Sequence, residues 1–185
     1  METGYRCPLR VLRERVAHCF DGALFAAAAL RRLGNPPQIL NMISNNEDDD
    51  HILALYKRGG HWGAIAKSNF AGLRFREPVY RTLRELVMSY FEQFYNVERK
   101  KTLRSYTVPL HLKAFDKFNW VTSDPPIEKI GSRLDEIRKV HIVKRGMIAG
   151  LSLVDERSYR AGLVGTNRAG LYQPRKRGRR KPEKF

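Results

Sequence analysis

The most constraining feature of this chain is one apolar segment near its start. Residues 19–33 read CFDGALFAAAALRRL, and apolar residues recur along it at steps of four and three: Cys19, Ala23, Ala26, Leu30 and Leu33. That spacing predicts an α-helix with these residues on one face. Most other positions are also apolar, so we expect a central helix buried on nearly all sides. Gly34 suits a left-handed cap, and Pro36-Pro37 prevents continuation.

Three strand candidates follow the helix in quick succession. They cover residues 38–44 (QILNMIS), 51–58 (HILALYKR) and 61–68 (HWGAIAKS). The Gly59-Gly60 pair between the last two is a hairpin signal. A helix that leads into a short antiparallel meander is typical of α+β proteins. We therefore predict a central N-terminal helix packed on a small antiparallel sheet, with further helices flanking it.

The sequence predicts one domain over residues 1–172. Residues 77–95 are predicted to form a second long helix, since Pro78 suits a first turn and an apolar stripe follows it: Leu83, Leu86, Val87, Tyr90 and Phe94. The pattern weakens over residues 100–172. There we expect an extended segment at 103–112, a short helix that begins at Ser132, and a surface segment at 146–170.

Residues 173–185 are predicted to be a disordered basic tail. The chain has a net charge of +16, and seven Lys or Arg residues against Glu183 place +6 of it in residues 175–185. Such a segment has no apolar area to bury. Our first interpretation is a solvated tail. The alternative is a weak, salt-sensitive contact with nucleic acid or with an acidic partner.

We expect a cytoplasmic protein with no membrane contact and with free thiols. Residues 1–16 mix charges with apolar residues and lack the apolar stretch of a signal peptide. No apolar run approaches the ~20 residues that span a bilayer. The two cysteines, Cys7 and Cys19, are therefore expected to be unpaired.

Cys19 and His51 are the candidate catalytic residues. A cysteine nucleophile acts as a thiolate, and a helix N-terminus lowers a thiol pKa and supplies backbone N–H groups for an oxyanion. Cys19 is predicted at that position, and His51 opens the second strand candidate.

A third residue would have to orient the imidazole of His51. In a hairpin with a two-residue loop, His51 lies opposite Ser68, and a shift of one residue brings Lys67 or Asn69 there instead. An amide accepts a hydrogen bond without carrying charge, so we predict Asn69 as the orienting residue, with Ser68 as the alternative.

These residues resemble a known family. Cys19-Phe20-Asp21-Gly22-Ala23 and the alanine-rich helix, then Pro36-Pro37, a strand and His51, resemble the transglutaminase-like superfamily of papain-type cysteine proteins, in its small bacterial-type form. The resemblance covers about residues 10–75. In that family an aspartate usually follows a tryptophan on the next strand; here Trp62 is present, but WGAIAKSN contains no aspartate.

Two functions follow from the resemblance. The first is a cysteine hydrolase, such as a peptidase or amidase, or an acyltransferase, acting on an amide or ester in a peptide, a protein or a small molecule. Its site would be Cys19, His51 and Asn69, with no cofactor. The second is a catalytically inactive binding module whose basic tail contacts nucleic acid or an acidic protein. The acidic run at 45–50 lacks the spacing of an EF-hand, so we interpret it as a solvated loop and predict no metal site.

Overall fold

A computed structural model describes residues 4–174 of the 185-residue chain. Helices α1 to α6 are Pro8–Glu14, Cys19–Arg32, Leu83–Met88, Pro125–Glu136, Arg145–Ile148 and Glu156–Gly162. Strands β1 to β7 are Gln38–Ser44, His51–Arg58, His61–Ile65, Phe75–Tyr80, Leu103–Thr107, Leu110–His111 and Lys139–His141. The fold is mixed α+β, which confirms the predicted class.

All seven strands belong to one open antiparallel sheet. Its order is β4-β3-β2-β1-β5-β7, and β6 pairs with the start of β1, where Gln38 faces His111. The sheet is larger than the predicted meander because β5, β6 and β7 extend it beyond β1 and β4 extends it beyond β3. Within it, Met42 of β1 lies opposite His51 at the start of β2.

Both faces of the sheet are covered. Along β2, Ile52 and Ala54 belong to the apolar cluster that contains α2, whereas Leu53 and Leu55 belong to the cluster on the opposite face. Successive side chains of a strand point to opposite faces. A strand buried on both faces therefore reads as an unbroken apolar run, and this explains why residues 51–56 show no apolar–polar alternation.

Helix α2 lies in the core, as its composition predicts. Its buried residues include Ala23, Leu24 and Ala27, none of which has any exposed surface. At its C-terminal end Gly34 has φ +83°, the left-handed cap that the sequence predicts.

A buried carboxylate fixes the N-terminal end of α2. Asp21 is fully buried, and its oxygens accept hydrogen bonds from the backbone amides of Arg6 (3.1 Å) and His18 (3.2 Å). The guanidinium of Arg6 lies 3.7 Å from the same carboxylate. Asp21 therefore ties the segment before the helix to its first turn, which carries Cys19.

The prediction of one long helix at residues 77–95 is wrong. Residues 75–80 form the edge strand β4, in which exposed and half-buried residues alternate. Pro78 lies in an irregular stretch of the β3–β4 ladder, between the pairs Ala64–Arg76 and Trp62–Tyr80, where no ladder amide is required of it. Thr82 then accepts a hydrogen bond from the amide of Glu85 and begins the short helix α3.

Four other boundaries also differ from, or refine, the sequence prediction. The third strand ends at Ile65 rather than Ser68, so residues 67–69 lie outside the sheet. The extended segment at 103–112 is confirmed as β5 and β6. The short helix expected at Ser132 begins at Pro125. Residues 146–170, predicted as surface segment, contain α6 and most of α5, and most of their residues are exposed.

Within residues 4–174, no helix is long and apolar enough to cross a membrane. The predicted basic tail at 173–185 lies, beyond Pro174, outside the described residues.

Candidate functional site

Cys19 and His51 line one cavity of about 140 Å³. Cys19 is the first residue of α2, and His51 is the first residue of β2. The remaining walls come from residues 48–50, 67–70 and 170–172, together with His18, Leu73, Phe94 and Tyr95. A larger groove of about 660 Å³ runs between α4 and residues 110–115, but neither cysteine lines it.

The approach of residues 67–70 to the start of α2 requires a glycine. A Cβ placed on Gly22 would lie 2.6 Å from Cβ of Lys67. That distance is too short for two carbon atoms, so Gly22 allows the loop after β3 to pack directly on the first turn of α2. The two walls of the cavity meet at this contact.

The thiol of Cys19 is protonated in this environment. Its Sγ donates to the backbone carbonyl of Asp50 at 3.7 Å. Burial, together with the negative charge of Asp49, raises its pKa to about 11, although the backbone amides of Ile52 and Phe20 act in the opposite direction. The helix N-terminus predicts a lowered pKa, but here desolvation outweighs it.

The imidazole of His51 is held by the main chain. Its residue is 5% exposed, and its Nε2 lies 2.9 Å from the carbonyl oxygen of Leu73. A carbonyl oxygen only accepts, so Nε2 carries the hydrogen and Nδ1 of the neutral ring is an acceptor. Burial lowers the pKa of His51 to about 4, so the neutral form prevails at physiological pH. Among the described residues, no hydrogen bond involves Nδ1.

Asp50 fixes the position of the chain immediately before His51. Its carboxylate accepts hydrogen bonds from the Asn41 side chain and from the backbone amide of Ser44, both at 2.9 Å. These bonds hold the end of the acidic loop against β1. They therefore fix both the carbonyl that faces Cys19 and the first residue of β2.

Asn69 lines the cavity, but its hydrogen bonds go to the C-terminal segment. Its Nδ2 donates to the carbonyl of Gly170 (3.0 Å), and its backbone carbonyl accepts from Oγ1 of Thr166 (2.8 Å). The β2–β3 ladder has the plain two-residue register, with Arg58 opposite His61, but it stops at the pair Ala54–Ile65. Residues 67–69 thus reach the cavity as a loop, and the orienting role of Asn69 stays a prediction.

Comparison with models of known protein families and with curated proteins yields no match for this chain. Among residues 4–174, no group of three or more His, Cys, Asp or Glu side chains is arranged to hold a metal ion.

Sequence reasoning missed two parts of the site. The Leu73 carbonyl is a backbone group, so no residue type signals its role. Residues 170–172 lie about 150 residues from Cys19 along the chain, in a segment whose pattern is weak. By contrast, the Thr82-x-x-Glu85 spacing is a capping signal that would have located the start of α3.

Two titratable groups of the cavity, the buried His51 and the half-buried Asp48, give opposite pH dependences of stability. His51 has a pKa of about 4 in the folded chain and 6.5 in the unfolded chain, so acidification over that range lowers the free energy of unfolding by up to about 3 kcal/mol. Burial raises the pKa of Asp48 to about 6 from 3.8. The folded chain then binds that proton more readily, and acidification from pH 6 to 4 raises the free energy of unfolding by up to about 3 kcal/mol.

We therefore expect His51→Gln to gain stability relative to the wild type, and Asp48→Asn to lose it, as the pH falls from 7 to 4. Urea unfolding at both pH values measures the two differences. His141→Gln is the matched control, since that ring is exposed and should follow the wild type. If all four chains change in parallel with pH, neither group has the assigned pKa.

Proposed function

We propose that this chain is a transglutaminase-like, papain-type cysteine hydrolase or acyltransferase that acts on an amide or ester, with Cys19 as nucleophile and His51 as base. One observation carries the proposal. The first residue of a buried helix and the first residue of the adjacent strand open onto one cavity, and the imidazole there has Nδ1 left as a proton acceptor.

The chemistry begins from a neutral pair. Sγ of Cys19 attacks the substrate carbonyl carbon while its proton passes to Nδ1 of His51. The thiol proton, which faces Asp50 at rest, must therefore turn towards the ring. The amides of Phe20 and Ile52, which lie close to Sγ, are the candidate donors to the oxyanion.

The intermediate then collapses in a second step. The imidazolium of His51 returns the proton to the leaving nitrogen or oxygen, and a thioester remains on Cys19. Water releases the acyl group in a hydrolase, and an amine accepts it in an acyltransferase. Either route restores the thiol and leaves the protein unchanged.

The Leu73 carbonyl accepts from the His51 ring the hydrogen bond that an aspartate would accept in the family. A third residue in such a site holds the tautomer of the imidazole and accepts its N–H. The Leu73 carbonyl makes that contact here, at 2.9 Å from Nε2. The absence of an aspartate after Trp62 is therefore compatible with a working site, because an acceptor is present without one.

The experiment is acylation by p-nitrophenyl acetate, a small activated ester. We expect one acetyl group on Cys19, located by peptide mass spectrometry, and release of nitrophenolate. His51→Gln should slow acylation by about 10²–10⁴-fold, since it removes the base. Glutamine is chosen because its amide can still donate to the Leu73 carbonyl.

His18→Gln is the matched control. His18 is the exposed residue that immediately precedes α2, and it lines the same cavity. Its acylation rate should stay close to that of the wild type. The wild-type rate should also persist as the pH falls towards 4, since His51 stays neutral to about that value. If His18→Gln slows acylation more than His51→Gln does, His51 is not the base.

A second candidate is a catalytically inactive module of the same fold, and the thiol pKa favours it. With Cys19 near 11 and His51 near 4, no thiolate–imidazolium pair forms at rest. Such a module would alkylate slowly with iodoacetamide at neutral pH and would not be acetylated by the ester. Measurable acetylation of Cys19 that depends on His51 excludes this candidate.

A further inference from the structure

We propose that residues 166–172, here called the C-terminal strap, are an autoinhibitory cover over Cys19 that is latched by Asn69 and Thr166. The proposal rests on the proposed role of Cys19 as a nucleophile. It concerns access to the thiol, which can be measured without knowing the substrate.

The cavity is too small for a substrate chain to enter as it stands. Its volume is about 140 Å³, His51 is 5% exposed and Cys19 is only partly exposed. A carbonyl carbon must reach bonding distance of Sγ. Some part of the cavity wall must therefore move before a peptide or protein substrate enters.

Other parts of that wall are held by the fold. Phe94 and Tyr95 are 2% and 1% exposed, Asp50 ties the acidic loop to β1, and residues 67–70 pack on the first turn of α2. Gly170 and Tyr172 also line the cavity, but both are exposed, and neither belongs to a strand of the sheet. The strap is therefore the part of the wall that can open at least cost.

The latch consists of two hydrogen bonds to one residue. Nδ2 of Asn69 donates to the carbonyl of Gly170 (3.0 Å), and Oγ1 of Thr166 donates to the carbonyl of Asn69 (2.8 Å). Thr166 at the start of the strap and Gly170 near its end are thus attached to the loop that packs on the start of α2. Opening breaks these two bonds and the packing of Leu171 and Tyr172 on the cavity, and the turn in which the Thr166 amide donates to the Leu163 carbonyl (3.1 Å) must also adjust.

Helix α6, which precedes the strap, is held against the core, so the start of the strap has a fixed position. Tyr95 Oη donates to the carbonyl of Ser158 in α6 (3.2 Å), and α6 packs so closely on this ring that Gly162 has no room for a Cβ. Gly165 follows with φ +71°, a backbone conformation that glycine adopts without strain. Gly165 is therefore the hinge, between an anchored helix and a latched strap.

The test measures the rate at which iodoacetamide alkylates Cys19 in the Cys7→Ala background, where Cys19 is the only thiol. Asn69→Ala and Thr166→Val each remove one latch bond. Each should raise the rate by about three- to tenfold, as expected for one hydrogen bond of ordinary net strength, and the double variant by more. Thr122→Val is the matched control, since its hydroxyl donates to the Asn119 carbonyl away from the cavity.

A chain that ends at residue 174 should alkylate at the control rate, because the strap is intact. Melting temperatures of all variants exclude global unfolding as the source of a faster rate. Rates that match the Thr122→Val control, or that fall, overturn the strap proposal. A faster rate without any acetylation by p-nitrophenyl acetate retains the strap and overturns the proposed function; rapid acetylation with no latch effect does the reverse.

Discussion

Cys19→Ala is expected to abolish acetylation by p-nitrophenyl acetate and to reduce turnover of any amide or ester substrate by about 10⁴-fold or more, as loss of a nucleophile does. The fold should remain intact. Alanine is the best helix former, and the resting thiol makes one long hydrogen bond, to the carbonyl of Asp50 at 3.7 Å. We therefore expect a melting temperature within about 4 °C of the wild type, equivalent to about 1 kcal/mol.

Cys7→Ala is the matched control for the nucleophile. Cys7 is buried next to α1, and it does not line the cavity that holds His51. This variant should keep the wild-type acetylation rate, although loss of a buried thiol will cost some stability. If Cys7→Ala loses acetylation while Cys19→Ala keeps it, the nucleophile has been misassigned and the proposed function fails with it.

The first half of the sheet could be predicted from sequence because its boundaries are strongly marked. Strands β1 and β2 have the predicted bounds, 38–44 and 51–58, since prolines, an acidic loop and Gly59-Gly60 flank them. Helix α2 likewise begins at Cys19, where the apolar periodicity starts. In these segments local propensity and tertiary environment favour the same structure.

The error at residues 77–95 has a different origin. Leu86, Val87, Tyr90 and Phe94 are all buried, as the apolar stripe predicts, but only the first two lie in an α-helix. Burial in the core requires apolar residues at suitable intervals and does not require one continuous helix. The edge strand β4 is exposed on alternate residues and depends on its pairing with β3, a tertiary contact that no local pattern reveals.

In the candidate site, the positions of two residues in their elements could be predicted, whereas their catalytic roles stay a prediction. Cys19 at a helix start and His51 at a strand start follow from local patterns, and the structure places both on one cavity. The protonated state of the thiol was not predictable. It depends on how deeply Sγ is buried and on its proximity to Asp49, which is 30 residues further along the chain.

Asp21→Ala is expected to lower the free energy of unfolding by about 3–5 kcal/mol, because it breaks a buried charge pair from one side. The fully buried carboxylate accepts the amides of Arg6 and His18, and without it these groups have no replacement acceptor of equal strength. The Arg6 side chain, only 14% exposed, would also lose its buried counter-charge. Chemical denaturation at neutral pH measures the loss.

Glu14→Ala is the matched control for that variant, since it removes the other partner of the same arginine. Glu14 contacts Arg6 at 2.8 Å but lies at the surface, where an ion pair adds little stability. We therefore expect this variant to unfold close to the wild type. The contrast explains the Cys-x-Asp spacing: Asp21 fixes the first turn of α2, and that turn holds Cys19 at the cavity. If Asp21→Ala costs no more than Glu14→Ala, the buried carboxylate does not fix this turn, and the position of Cys19 depends on its contacts with β2 instead.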